Sequence, residues 1–548
     1  MLKLAGIALV GSFLATLAPA PQEPTGQILL SGTGPHQRPV DSSSALARQY
    51  VVQGLNLLYG FNHDEARLSV RTATEADPKC AMAWWGLALA NGPHINFPVV
   101  TQDQAKESVE ALSKASGLVA GVRPVDRRLI EAAVLRYASP QPDDRAPLDR
   151  AYAEEMARVW REFPKDPDVG ALYAESLMDL RPWDLWKPDG TPQPGTETVT
   201  ATLTEVLRLN PDHPMALHLA IHAWEASPTP EKADEASNRL RFLMPGLGHM
   251  VHMPSHIDVR RGRWQESIDA NERAIKADEN YRKLRPRQGF YRVYMAHNRH
   301  MLAFSAMMVG QSKKAIEAVD SMVANMPEAF VKDNASVIDG YIAMPLEARV
   351  RFGKWDEILA MPEYPEYLPI TTTLRHGARA VAYAAKKQVP EAEAERAKFT
   401  SAKLKIPAEA AVGNSPAATV IAVAENMMDG EIALAKGETE EAVRLLAAAV
   451  REEDRLRYDE PPDWILPVRH ALGVVLLDAG RPEEAEKVYR ADLEKLPNNG
   501  WALNGLAESL RRQGKTSDAE RMQGRFAAVW KDADMSISSS CMCLPNPK

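Results

Sequence analysis

Three cysteines in 548 residues are too few for a disulfide framework, so the fold must be held by a packed core. Long apolar runs are scarce as well. Only Leu4 to Leu17 is continuous, and a run that short does not span a bilayer, so no transmembrane segment is expected. There is no basic tract. The net charge is −8 and the isoelectric point near 6.0, which argues against nucleic acid as a partner. A Gly-rich phosphate loop, a Gly-x-Ser-x-Gly elbow and a His-Glu-x-x-His pair are all missing, so nucleotide use and the familiar hydrolase machineries lack support. Strand-like alternation is almost absent too, which points away from sheet.

The two ends differ from the middle. Lys3, the apolar run and Ala18-Pro19-Ala20 have the layout of a secretory signal over residues 1–20. That signal implies export, to a periplasm or to the medium. Residues 21–43, rich in proline and serine, read as an extended linker. Residues 44–534 form the folded body, and 535–548 a flexible tail carrying Cys541-Met542-Cys543. With 45% hydrophobic and 25% charged residues the body is globular.

Within the body the pattern is helix after helix. Ala45 to Tyr59 is apolar-periodic, and Asp64 to Asp77 follows it, stopped by Pro78. A glycine followed five residues later by alanine recurs at Gly310/Ala315, Gly437/Ala442, Gly480/Ala485 and Gly514/Ala519. The last two glycines are 34 residues apart, the period of the tetratricopeptide helix-turn-helix repeat. The expected fold is therefore all-α, a helix-turn-helix solenoid wound into a superhelix. Two Pro/Gly-rich stretches, 139–147 and 182–197, break the rhythm, and the second carries Trp183 and Trp186 as an aromatic anchor or a lid.

Histidine is what the chain has in excess. Eight of its thirteen histidines fall between His213 and His300. His218 and His222 are one helical turn apart, as are His252 and His256; His249 joins the second pair, and His297 and His300 follow at i,i+3. Thirty-four residues separate His218 from His252 and His222 from His256, which puts both pairs at equivalent places on neighbouring helices. Helix axes about 8–10 Å apart let such imidazoles meet at one point. The seven residues His218, His222, His249, His252, His256, His297 and His300 are thus the candidate metal ligands. Glu225 shares the face of His222 and is the candidate general base. Nitrogen-rich ligation favours copper over zinc or iron, and seven imidazoles exceed one tetrahedral ion, so two or more ions are expected. Cys541 and Cys543 are candidate tail ligands, and Met250, Met253 and Met295 add soft atoms nearby. Pro254 interrupts the helix between His252 and His256. His213 is read as a helix cap, and the isolated His63, His94, His376 and His470 as core residues.

Several longer motifs carry a resemblance: Phe61-Asn62-His63-Asp64-Glu65-Ala66, Gly92-Pro93-His94-Ile95-Asn96, Pro182-Trp183-Asp184-Leu185-Trp186, His218 to Glu225, Gly248 to Ile257, His297-Asn298-Arg299-His300 and Glu460-Pro461-Pro462-Asp463-Trp464. Together they resemble a large family of bacterial tetratricopeptide-repeat proteins. The resemblance implies a helical superhelix over nearly the whole body and carries little mechanism; it also suggests Tyr458, Glu460 and Trp464 as groove residues. Three functions are compatible with these readings. One is an exported copper enzyme doing redox chemistry on an unidentified small molecule or peptide. Another is a zinc-dependent hydrolase at the same site with Glu225 as base. The third is a scaffold whose concave face binds a peptide or protein, without catalysis.

Overall fold

The computed structural model describes residues 28–542, so the signal at 1–20, the first part of the linker and Cys543 lie outside the described residues. Helices follow one another from Ala45–Tyr59 to Thr516–Val529. Strand is limited, among the described residues, to the pair Ala411–Val412 and Ser415–Pro416. The all-α solenoid is what the sequence led us to expect. No helix among the described residues is long and apolar enough to cross a membrane.

Local chemistry sets the pairing of helices. Ser44 caps Ala45–Tyr59 by accepting from the Ala47 amide, and Asn62 caps His63–Ala76 by accepting from Glu65. The two helices close on Gly54, where a Cβ would lie 2.5 Å from the Val70 side chain. Only glycine allows that approach. The recurring turn glycines Gly310, Gly437, Gly480 and Gly514 all have positive φ, between 71 and 82°. The alanines five residues on are buried, which lets each returning helix lie close to its partner.

Two large hydrophobic cores result, with two small clusters beside them. One is built from residues between Ala47 and Met295, the other from residues between Val259 and Cys541. They meet at the 21-residue helix Trp264–Leu284 and its neighbours. The beginning of the body returns to this helix through Glu65, which accepts from Arg285 at 2.8 Å and from the Tyr281 hydroxyl at 3.0 Å. The end of the body returns too, since the indole N–H of Trp264 donates to the Pro497 carbonyl at 2.9 Å and that of Trp501 to Met307 at 2.7 Å. The solenoid is curled, with both arms packed on its middle. The histidine helices lie along that seam.

Neither flank is loose where it is described. Residues 28–43 are irregular, as a linker would be, but they are tied down. Arg38 donates to Asp126 and Asp168 at 2.7 Å each, and Gly246 donates its amide to the Gly32 carbonyl at 2.9 Å. The expected flexible tail is also anchored as far as Met542. Its Ser540 hydroxyl donates to the His470 carbonyl at 2.7 Å and meets the Tyr489 hydroxyl at the same distance.

Candidate metal centre

The first histidine helix, Pro214–Glu225, begins on His213, whose Nδ1 accepts from the Ala216 amide. That leaves the proton on Nε2, which donates to Asp168 at 3.1 Å. His213 is a cap, as expected. The second helix is cut by Pro254 into Gly248–His252 and Pro254–Arg260, because proline has no N–H to return to Met250. The third, Arg292–Met308, carries His297 and His300.

Six of the seven candidate ligands gather into two sets of three: His218, His222 and His249, then His252, His256 and His297. Within each set one ring nitrogen per residue lies within 4.8 Å of the others. Each set takes an i,i+4 pair from one segment and a single imidazole from the next inner helix. The equivalent residues 34 apart fall in different sets of three imidazoles, but His222 and His256 also meet on Glu225 in a further group, their ring centroids 5.7 Å apart. His300 stands outside both, its ring centroid 6.3 Å from that of His297.

The outer nitrogens are held by groups that can only accept. The Nδ1–H of His218 donates to the Tyr59 carbonyl at 2.8 Å, and those of His222 and His256 to the two oxygens of Glu225 at 2.7 and 2.5 Å. That of His252 donates to Asn271 Oδ1 at 2.6 Å; the amide cannot be the other way round, because Asn271 Nδ2 donates to the Ser267 carbonyl. Four imidazoles thus carry their proton outward and turn bare Nε2 lone pairs inward. His218 and His222 then face each other Nε2 to Nε2 at 3.2 Å, His218 and His249 at 3.2 Å, and His252 and His256 at 2.7 Å. Opposed lone pairs at these distances repel unless a proton or a cation lies between them.

Burial decides which contacts a proton can serve. It lowers the His256 pKa, but the charge and hydrogen bond of Glu225 outweigh it and the net shift is upward. A proton on His256 can therefore bridge to His252. Burial, with the neighbouring imidazoles, holds His218, His249, His252 and His297 well below the ordinary histidine value. His249 can offer an Nε2–H to His218. The contact between His218 and His222 is left without one. A converging donor set with four of its six imidazoles fixed from behind fits a transition-metal ion.

Glu225 lies between the two sets. Burial would raise its pKa, yet His256 and His222 hold it down to about 2, and both its oxygens are engaged. With one oxygen on each of His222 and His256, the carboxylate orients both imidazoles. Cys541 lies elsewhere, buried among Trp355, Met427 and Glu431, with its sulfur in a disulfide. Met250, Met253 and Met295 are core residues. His376 pairs with Glu395 and His470 with Asp492, as core histidines should. His63 and His94 stack on each other at 4.3 Å, and His94 stacks on Phe61 at 4.4 Å.

The 182–195 loop closes over the first set. Trp183, with a left-handed φ of 58°, meets His222 edge-on at 5.3 Å, and Trp186 donates to the Ala223 carbonyl at 2.8 Å. Beside both sets lies a cavity of about 210 Å³, to which His222, His249, His256, His297 and His300 contribute one wall. Of the late motif, Tyr458 donates to Glu460 at 2.8 Å, Asp459 lines the cavity, and Trp464 packs in a separate apolar recess with Leu346 and Met428. Tyr59, Asn271 and Asp459 were not apparent from the sequence. No motif marks them.

Comparison with known proteins bears on the architecture. The family described as tetratricopeptide repeat matches residues 51–91 and 470–523. No curated protein sequence matches the chain. Among solved structures, the human IFIT1 dimer with m7Gppp-AAAA is 13% identical, covering 90% of this chain and 92% of that one, with a TM-score of 0.33. The APC/C hetero-tetramer Cut9-Hcn1 is 13% identical over 90% of this chain and 76% of that one, with a TM-score of 0.30. YrrB, a TPR protein with an unusual peptide-binding site, is 16% identical over 38% of this chain and 90% of that one, at 0.20. The sequence thus carries tetratricopeptide repeats near both ends of its described body, and between them lies the histidine seam.

Proposed function

We propose that the chain is an exported metalloprotein whose two histidine triads each hold a transition-metal ion, copper ahead of zinc or iron, as the centre of a redox enzyme. The observation that carries this reading is the contact of His218 with His222, two inward lone pairs at 3.2 Å with no proton to separate them. All-nitrogen ligation suits copper or zinc, whereas hard cations require oxygen. Bound copper supplies one-electron chemistry. The protein's own residues do the positioning: Glu225, Asn271 and the Tyr59 carbonyl fix four imidazoles in the ligating tautomer. Phe61, 4.4 Å from the His218 ring, and Trp183 keep water from the first triad.

Export is supported by the signal-like residues 1–20 and by the disulfide at Cys541, a bond favoured in oxidising compartments. The motif resemblance to a bacterial repeat family belongs to the same reading. The zinc-hydrolase alternative asks Glu225 to be a base, which its pKa of about 2 opposes. The scaffold alternative keeps one observation in its favour, the repeats themselves, whose stacked helices offer partner-binding surfaces. Metal analysis of protein purified from its exported compartment decides between them. About two copper ions per chain are expected, with His222→Ala and His256→Ala each losing metal at unchanged helicity. Protein recovered metal-free, or variants that keep full metal, would make the cluster structural and the chain a scaffold.

A further inference from the structure

The cavity beside the triads has a definite chemistry. Its walls away from the histidines are mostly apolar, with Phe290, Met322, Met326, Phe330 and Ile338 among them. No lysine or arginine lines it among the described residues. Burial and the neighbouring Asp463 push the pKa of the acid in its wall, Asp459, well above the ordinary carboxylate value. An anion would enter without a lysine or arginine to meet it, and the burial that raises Asp459 disfavours an ionised partner for a cation. The free space, about 210 Å³, exceeds the roughly 150 Å³ that admits benzene into an apolar cavity.

Three groups in the wall carry a buried polar atom without a hydrogen bond: His249 Nδ1, the Tyr294 hydroxyl and His300 Nε2. His300 is 3% exposed, its Nε2 has no hydrogen bond, and it belongs to neither triad. Burying an unpaired polar atom costs about 1–3 kcal/mol, which a ligand hydroxyl placed there would recover. Access is from the helix Ala335–Ile342, where Val337 lines the cavity and is half exposed.

We propose that this cavity binds an uncharged, ring-sized apolar molecule carrying one hydroxyl, of the phenol class, with the ring among the aromatic and aliphatic walls and the hydroxyl on His300. That this molecule is the substrate rests on the metal-centre reading; that it binds does not. The cavity wall includes His222 and His249 of the first triad and His256 and His297 of the second, so a ligand seated here lies beside both.

Calorimetric titration tests the proposal on the full chain, metal-free and copper-loaded, with phenol, toluene and benzoate as probes. One phenol per chain is expected in both forms, toluene about tenfold weaker for want of the hydroxyl, and no benzoate binding. Ile338→Trp, which fills the cavity, should abolish phenol binding and leave copper content unchanged. His300→Phe keeps an apolar ring there and should weaken phenol about tenfold while sparing toluene. Benzoate binding as tightly as phenol overturns the proposal. So does phenol binding that survives both substitutions. Phenol binding by a chain that takes up no metal would remove the metal centre and leave this site standing; copper uptake without phenol binding would do the reverse.

Discussion

Glu225 spans two imidazoles with one carboxylate, and glutamine at that position cannot do the same. A glutamine offers one accepting oxygen and one NH2 group, and the NH2 cannot face an Nδ1–H. Either His222 or His256 must then move its proton to Nε2 and lose its inward lone pair. Glu225→Gln should therefore lower metal affinity by about 10–100-fold, the usual cost of losing such a support, at unchanged helicity. Chelator competition measures this, and wild-type affinity in the variant would remove Glu225 from the centre. The ligands themselves were legible in the sequence because helical spacing puts i,i+4 side chains on one face. Their supports were not. His218 is oriented by a backbone carbonyl 159 residues away, which has no side-chain signature, and His252 by an asparagine that no spacing singles out. Spacing also cannot tell His297 from His300, three residues apart on one helix. Only the rotation of Arg292–Met308 against its neighbours sends one into a triad and the other into the cavity wall.

At the scale of the element, the turn glycines separate backbone strain from crowding. Gly514 has a φ of 74° and open space where a Cβ would sit, so Gly514→Ala should cost only the left-handed backbone term, about 1–2 kcal/mol. Gly310 has nearly the same φ, 73°, but a Cβ there would lie 2.3 Å from the Trp530 ring. Gly310→Ala adds overpacking, typically about 1–3 kcal/mol, to the same backbone term. Denaturant melts should therefore rank Gly310→Ala below Gly514→Ala; equal losses would mean that Trp530 moves aside freely. The glycine–alanine rhythm made these turns visible in advance, because a left-handed residue and a small one five places on are both steric needs of a tight helix pair. The sequence did not reveal which glycine has a tryptophan over it. Trp530 lies 220 residues from Gly310 and reaches it only because the solenoid curls.

At the scale of the whole molecule, the response to pH is set by ionisable groups that packing in the second half of the chain shields from water. Burial raises the carboxyls of Glu347 and Glu431 to about 8 and that of Glu453 to about 7. In the unfolded chain a glutamate titrates near 4.5. Between those values the native state holds protons that the unfolded state has lost, so stability falls as pH rises, and the loss is complete above about 8. Buried histidines act in the opposite sense. His63 and His300 are lowered by burial to about 4 and about 3, against 6.5 unfolded, so their share of stability is present above 6.5 and is lost on acidification towards those values. From pH 6.5 to 8 the contribution of the lowered histidines has levelled off, and the carboxyls act together with His256, whose raised pKa works in the same sense. The metal-free protein should therefore melt at progressively lower temperature across that window. Each carboxyl contributes a slope of at most about 1.4 kcal/mol per pH unit. Glu347→Gln with Glu431→Gln keeps the size and neutrality of the protonated side chains but has nothing to ionise, so its melting temperature should vary less over the same range. If variant and wild-type curves run parallel from pH 6.5 to 8, those carboxyls titrate normally, and water reaches the two recesses that hold them.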